Sequence, residues 1–156
     1  MNDHEFEQLY AAEAQGLFGF LAYRTGDRVL AEDLLADAFE RALRGRYNRR
    51  RGSARTWLYS IALNALRDHA RRAAAEGRAY ARVGVDEPAD ALAGVEHRDQ
   101  LARGLAALSE SEREAIALRF GAELTVPELA AVLDVSLTTA EGRVYRALRK
   151  LREALT

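Results

Sequence analysis

Cysteine is absent from the 156 residues, which excludes disulfides, thiolate zinc centres and cysteine redox switches. Pro88 and Pro127 are the only prolines, so long unbroken helices are allowed. The histidines, His4, His69 and His97, lie far apart without metal-ligand spacing. The longest apolar run, Leu17 to Tyr23, falls far short of the about 20 residues a membrane helix needs. The opening residues, with Asp3, Glu5 and Glu7, do not resemble a signal peptide. A soluble, cytoplasmic protein without membrane contact of its own is expected. No phosphate loop, histidine pair or nucleophile–base pattern stands out, so neither a cofactor nor an enzymatic activity is expected.

Alanine is abundant, at 31 residues, and favours helix. The net charge of −1 conceals a strong pattern. Residues 1–40 carry 2 basic and 9 acidic groups, residues 41–82 carry 12 and 2, residues 83–134 carry 4 and 11, and residues 135–156 carry 5 and 2. Two basic surfaces beside acidic ones are implied, and basic clusters are the footprint of phosphate binding.

The periodicity is helical throughout, and no stretch alternates as a strand does. Glu5 to Tyr23 places Phe6, Leu9, Leu17 and Leu21 at helical spacing, and Gly26-Asp27 ends it. Val29 to Arg44 repeats the pattern, an arginine-rich break follows at 45–52, and Thr56 to Arg72 forms a third helix. From about Ala73 to Val95 the period fades into an acidic, glycine-containing linker. A second helical set begins near Glu96, and Gln100 to Leu108 is one helix. The capping box Ser109-x-x-Glu112 opens another that runs to Gly121.

Thr125-Val-Pro-Glu128 is again a capping box, with Pro127 in the first turn. A short helix, a tight turn at Asp134-Val135 and a new helix capped by Ser136 make a helix-turn-helix. At 100° per residue, Leu137, Ala140, Val144, Ala147, Leu148, Leu151 and Leu155 share one face of that second helix. Thr138, Thr139, Gly142, Arg146 and Arg149 lie opposite, with Arg143 and Lys150 flanking. Hydroxyls and cations there suit phosphates and base edges. Gly142 costs about 1 kcal/mol in a helix interior, which a close approach to a DNA backbone would justify; a tolerated defect is the other reading.

Two segments are recognisable. Ala31-Glu-Asp-Leu-Leu-Ala-Asp-Ala-Phe39 followed by Arg55-Thr-Trp-Leu-Tyr-Ser-Ile-Ala-Leu-Asn64 resembles region 2 of extracytoplasmic-function (ECF) sigma factors. Leu108-Ser-Glu-Ser-Glu-Arg-Glu114, Leu118-Arg-Phe120, the helix-turn-helix and Arg146-Ala-Leu-Arg-Lys-Leu151 resemble their region 4. The short linker fits the absence of the intervening region in this subfamily. The resemblance implies a subunit that binds core RNA polymerase and promoter DNA, and it allows an anti-sigma factor as a further partner. Asp33, Ala36, Asp37 and Glu40 recur at i, i+3, i+4 and i+7, an acidic stripe suited to a basic polymerase helix; the family often has glutamine where Ala36 stands. Flipped bases of the −10 element need a pocket and neutralised phosphates. Tyr47, Asn48, Arg49, Arg50, Arg51, Ser53 and Arg55 of the loop are expected to supply these, with Asn64, Arg67, Arg71 and Arg72 of the next helix. Trp57 reads as core, while Tyr47 suits packing or stacking equally. Thr138, Thr139, Gly142, Arg143, Arg146, Arg149 and Lys150 are expected to read the −35 duplex. The family commonly has a basic residue where Glu141 stands, so Glu141 either contacts a base amine such as cytosine N4 or weakens −35 affinity. Asp86, Glu87 and Asp90 are expected to line the polymerase channels ahead of RNA, or to form a simple tether.

The expected architecture is all-α: two small helical bundles joined by a flexible linker, with residues 1–74 as region 2, 75–98 as the acidic linker and 99–156 as region 4. Each bundle has little core of its own. The alternative function is a stand-alone helix-turn-helix regulator, which would leave the acidic stripe and arginine loop unexplained. A nuclease and a protein-only adaptor fit less well.

Overall fold

A computed structural model describes residues 1–77 and 95–156, and among them every regular element is helical. The linker acids Asp86, Glu87 and Asp90 lie outside the described residues. The helices are α1 (Asp3–Thr25), α2 (Arg28–Arg44), α3 (Ala54–Ala75), α4 (Val95–Ala106), α5 (Glu110–Ile116), α6 (Val126–Leu133) and α7 (Leu137–Leu155). A 3₁₀ turn covers Arg49–Arg51 and a π turn covers Ala117–Gly121.

Local chemistry sets the boundaries. Gly26 ends α1 at φ 67°, a left-handed position open to glycine. Asp27 then caps α2, accepting from the backbone N–H groups of Val29 and Leu30. Ser53 caps α3 two residues earlier than the apolar periodicity suggests. Reciprocal capping boxes close at Ser109–Glu112 and Thr125–Glu128, as expected, and also at Asn2–Glu5, which starts α1 at Asp3. Asp134 takes a left-handed conformation (φ 57°, ψ 49°) and makes the tight turn of the helix-turn-helix.

Three expectations change. The helix opened by Ser109 does not run regularly to Gly121. It widens after Ile116, where Ala122 N–H reaches back to Ala117 O at 3.0 Å and Leu124 N–H to Leu118 O at 3.0 Å. This carries the chain through Glu123, held at φ 59°, and lets Leu118 and Leu124 both bury fully. The helical set expected from near Glu96 begins at Val95, and the helix expected over Gln100–Leu108 is the later part of one helix that ends at Ala106. On α7 only Ala140, Val144 and Ala147 are buried; Leu137, Leu148 and Leu155 are exposed, because packing covers a narrower strip than periodicity marks.

The two units are not separate beads. α1, α2 and α3 pack together, α7 packs against α4, α5 and α6, and the two sets meet where α3 touches α6 and α1 touches the π turn. One continuous cluster holds Leu17, Phe20, Leu21, Leu58 and Leu66 from the first unit and Leu118, Leu124 and Leu129 from the second. Burial of each such side chain stabilises by about 1.5–3 kcal/mol. Two bundles too small to hold much core thereby share one.

Candidate nucleic-acid and polymerase interfaces

The arginine-rich loop is a built structure. Asn48 accepts a hydrogen bond from Arg50 N–H at 3.0 Å and caps the 3₁₀ turn. Ser53 Oγ accepts from Thr56 N–H at 3.1 Å. Tyr47 donates its hydroxyl to Gly52 O at 2.8 Å, and its ring lies 5.3 Å from that of Trp57. A β-carbon on Gly45 would stand 3.1 Å from both the Trp57 ring and the Arg41 carbonyl, a tight fit that glycine relieves. Trp57 packs half-buried against the core with one edge in the loop, as its amphipathic helix suggests. Tyr47 both packs and lines an open groove of about 660 Å³, whose walls include Arg46, Asn48, Arg49, Arg51, Ser53 and Thr56. An aromatic wall with a cationic rim can hold a base and its phosphate.

The cations around that groove are held differently. Arg50 and Arg51 are exposed, and Arg49 donates to Glu5 Oε2 at 2.6 Å, which draws the Glu5 carboxyl below its usual range. Arg55 is half-buried. It donates to Ala122 O at 2.9 Å and lies 3.4 Å from Glu128 Oε1 and 3.3 Å from Glu13 Oε1. On α3, Asn64, Arg67, Arg71 and Arg72 are exposed on one flank. Arg71 pairs with Asp68, and Arg67 donates to Glu114 Oε1 at 2.8 Å.

On α2, Asp33, Ala36 and Glu40 are exposed and Asp37 half-exposed, opposite buried Ala31, Leu34, Ala38 and Phe39. Glu40 pairs with Arg44, and Asp37 with Arg41 at 3.1 Å. The stripe presents three carboxylates on one exposed helix face, two of them paired with arginines of the same helix.

On α7, Thr138, Thr139, Arg146 and Arg149 are exposed, and Gly142, Arg143 and Lys150 half-exposed. Thr139 accepts from the Ser136 hydroxyl at 2.9 Å, strengthening the cap. Over Gly142 lies the Arg146 side chain, 3.1 Å from where a β-carbon would sit, and Arg146 reaches to 3.8 Å from Glu112. Lys150 donates to Glu112 Oε1 at 2.7 Å. The Lys150 hydrogen bond, and after it the backbone N–H of Ser109, hold the buried Glu112 carboxyl below its usual range. Glu141 is exposed at the start of the helix. Sequence reasoning missed Glu112 and Glu114 as partners of these cations; only the capping-box role of Glu112 was readable.

Among the described residues no helix is long and apolar enough to cross a membrane, and no histidine–carboxylate group could hold a metal ion.

Residues 9–76 match the family model for Sigma-70 region 2, and residues 104–153 that for Sigma-70, region 4. The RNA polymerase sigma factor CarQ of Myxococcus xanthus is 33% identical over 96% of this chain and 88% of its own. The ECF RNA polymerase sigma factor SigM of Bacillus subtilis is 27% identical over 94% and 92% respectively. The fold is similar to that of the sigma factor RpoE in its co-crystal with the anti-sigma factor NepR from Bartonella quintana, with a TM-score of 0.74, 24% identity and coverage of 97% of this chain and 96% of that one. With both conserved regions in order and relatives aligned along nearly the whole length, the chain belongs to the sigma-70 family, in its ECF group, and is an alternative sigma factor that binds core RNA polymerase and directs promoter-specific initiation.

Proposed function

We propose that three surfaces divide this work. Residues 1–74 act as region 2, 75–98 as a tether and 99–156 as region 4. The α2 stripe of Asp33, Ala36, Asp37 and Glu40 grips a basic helix of the polymerase. The loop groove takes a flipped −10 base against Tyr47, while Arg50, Arg51, Arg67, Arg71 and Arg72 neutralise the strand. The α7 face from Thr138 to Arg149 reads the −35 duplex, its register fixed by phosphate contacts. The observation that carries this reading is the loop groove: a half-buried aromatic pair under a cationic rim fits an unstacked nucleotide far better than a duplex. The chain itself performs no covalent chemistry and works in the cytoplasm. Like RpoE, which is seen with NepR, it takes an anti-sigma protein as a partner.

The test is reconstitution. Core RNA polymerase without any sigma is mixed with the protein and a genomic fragment library, and RNA starts are sequenced. Starts sharing two upstream elements are expected, and they should vanish when Asp33 and Asp37 are changed to lysine. Duplex binding by the protein alone, with no starts, would favour the stand-alone regulator instead.

A further inference from the structure

The three arginines of the 3₁₀ turn are not equivalent. Arg50 and Arg51 are exposed, and among the described residues neither has an ion-pair partner. Arg49 instead donates to Glu5 Oε2 of α1 at 2.6 Å. The other oxygen of that carboxylate, Oε1, accepts from the backbone N–H of Asn2 at 3.3 Å, while Asn2 Oδ1 accepts from Glu5 N–H at 2.8 Å. The capping box thus orients the Glu5 side chain whether or not Arg49 is present. An acceptor already held in place loses less rotamer freedom when it pairs. Of the two side chains, Glu5 is the anchor, 30% exposed against 76% for Arg49.

The turn needs such a tie. None of its residues is buried. The hydrogen bonds from Arg50 N–H to Asn48 and from the Tyr47 hydroxyl to Gly52 O close the loop on itself and do not fix it to a helix. Tyr47 lines the open groove of about 660 Å³ and also a second cleft of about 340 Å³, whose walls include Glu5, Gln8, Glu13 and Arg55. The aromatic wall of the groove therefore backs onto the first turns of α1, where Glu5 stands.

We propose that Glu5 is a positioning residue of the −10 groove, and that Arg49 is committed to Glu5 and not to the strand. The proposal rests on the reading of the loop groove as the place of the flipped base. Pinning the 3₁₀ turn to α1 keeps Tyr47 against Trp57 before any base enters, so that less ordering remains to be done on binding. Arg50 and Arg51, on the same turn, are left to meet phosphates. One guanidinium serves the shape of the groove, and its two neighbours serve the charge of the strand.

The test uses the full chain and three variants: Glu5→Gln, Arg49→Gln and the two together. Glutamine at position 5 still completes the capping box, but its one carbonyl oxygen cannot serve both Asn2 and Arg49. Trp57 is the only tryptophan, so acrylamide quenching of its emission reports how closely the loop covers it without any DNA present. Quenching should rise in each single variant and no further in the double, as expected of two ends of one interaction, while the urea midpoint stays at the wild-type value. The strand probe is mixed-sequence DNA of about 20 nucleotides, long enough to span the groove. Each single variant should bind it about threefold more weakly, the scale an exposed ion pair supports, and with the wild-type salt slope. The opposite role gives opposite signs. If Arg49 met a phosphate, Glu5→Gln would release it and tighten binding, and Arg49→Gln would lower the slope by about 0.7; either result overturns the proposal. Unchanged quenching in both single variants overturns it as well, whatever the strand does. Raised quenching with unchanged affinity would leave Glu5 holding a loop that does not shape binding, which also overturns it. Failure of the groove reading looks different: wild-type Trp57 emission would then not respond to the strand at all.

Discussion

Lys150 of the recognition helix donates to Glu112 Oε1 at 2.7 Å, and the same oxygen accepts from the backbone N–H of Ser109 at 2.9 Å. One carboxylate thus joins the cap of α5 to the helix expected to read duplex DNA. Glu112→Ala should destabilise the protein by about 1–2 kcal/mol, because it removes the reciprocal half of a capping box and the Lys150 hydrogen bond. Urea denaturation near neutral pH checks this. The folded-state pKa of Glu112 lies below its ordinary value, so its stabilisation is present above the ordinary value, 4.5, and is lost as pH falls through the depressed one. The gap between wild type and Glu112→Gln should therefore narrow steadily as the pH is lowered below 4.5.

Tyr59 is fully buried, its hydroxyl has no hydrogen-bond partner among the described residues, and burial pushes its pKa up to about 12, with Glu13 adding to the rise. A tyrosine that ionises less readily when folded stabilises fully below the unfolded value and loses that contribution as pH rises through the folded one. Wild-type stability should fall by about 3 kcal/mol between the ordinary value of 10 and about 12. Tyr59→Phe removes an unpaired polar atom, so it should be neutral or slightly stabilising at pH 7. It should also lack this component of the alkaline loss, which denaturation across the pH range would reveal.

Gly104 lets α4 lie close on α7: a β-carbon there would stand 3.0 Å from Leu151 Cδ2 and 3.1 Å from Ala154 Cβ. Gly104→Val is expected to cost about 1–3 kcal/mol by overpacking, although most substitutions for a helix glycine gain from propensity. Thermal unfolding distinguishes the two effects by sign.

Single-strand binding should separate the loop residues by role. Arg50→Ala and Arg51→Ala should each lower the salt slope of binding by about 0.7, the value of one phosphate contact on a single strand, and leave stability within about 0.5 kcal/mol of wild type. Ser53→Ala and Asn48→Ala should instead cost about 1 kcal/mol of stability, since those side chains cap α3 and the 3₁₀ turn. Trp57 is the only tryptophan and touches Tyr47, so its emission should change when a strand enters the groove. A variant whose slope is unchanged would place that arginine off the path.

Helix types and caps were legible because they depend on neighbours within a turn. Ser109, Thr125 and Ser136 announce their helices by chemistry, and the α2 stripe follows from a 3.6-residue period. The widening at Ala117 was not legible, because it answers a demand from α1 and the shared core and not a local preference. Periodicity placed Leu137 and Leu148 on the core face, yet only tertiary contact decides how wide a strip is covered, and they remain exposed. The arginines were found as a charge cluster; the partners of Arg55 and Arg67 lie 73 and 47 residues away, beyond any spacing rule.

Leu118, Leu124 and Leu129 belong to the same buried cluster as Leu17, Phe20 and Leu66, so the helices translated first cannot finish packing until most of the chain has followed. Domains generally fold in the order of synthesis. Here a three-helix piece leaves the ribosome with an apolar flank and a bare arginine loop. Between the translation of Ala75 and of Leu133 that apolar flank is open to chaperones, and the arrival of α6 on α3 covers it while Arg50 and Arg51 stay exposed.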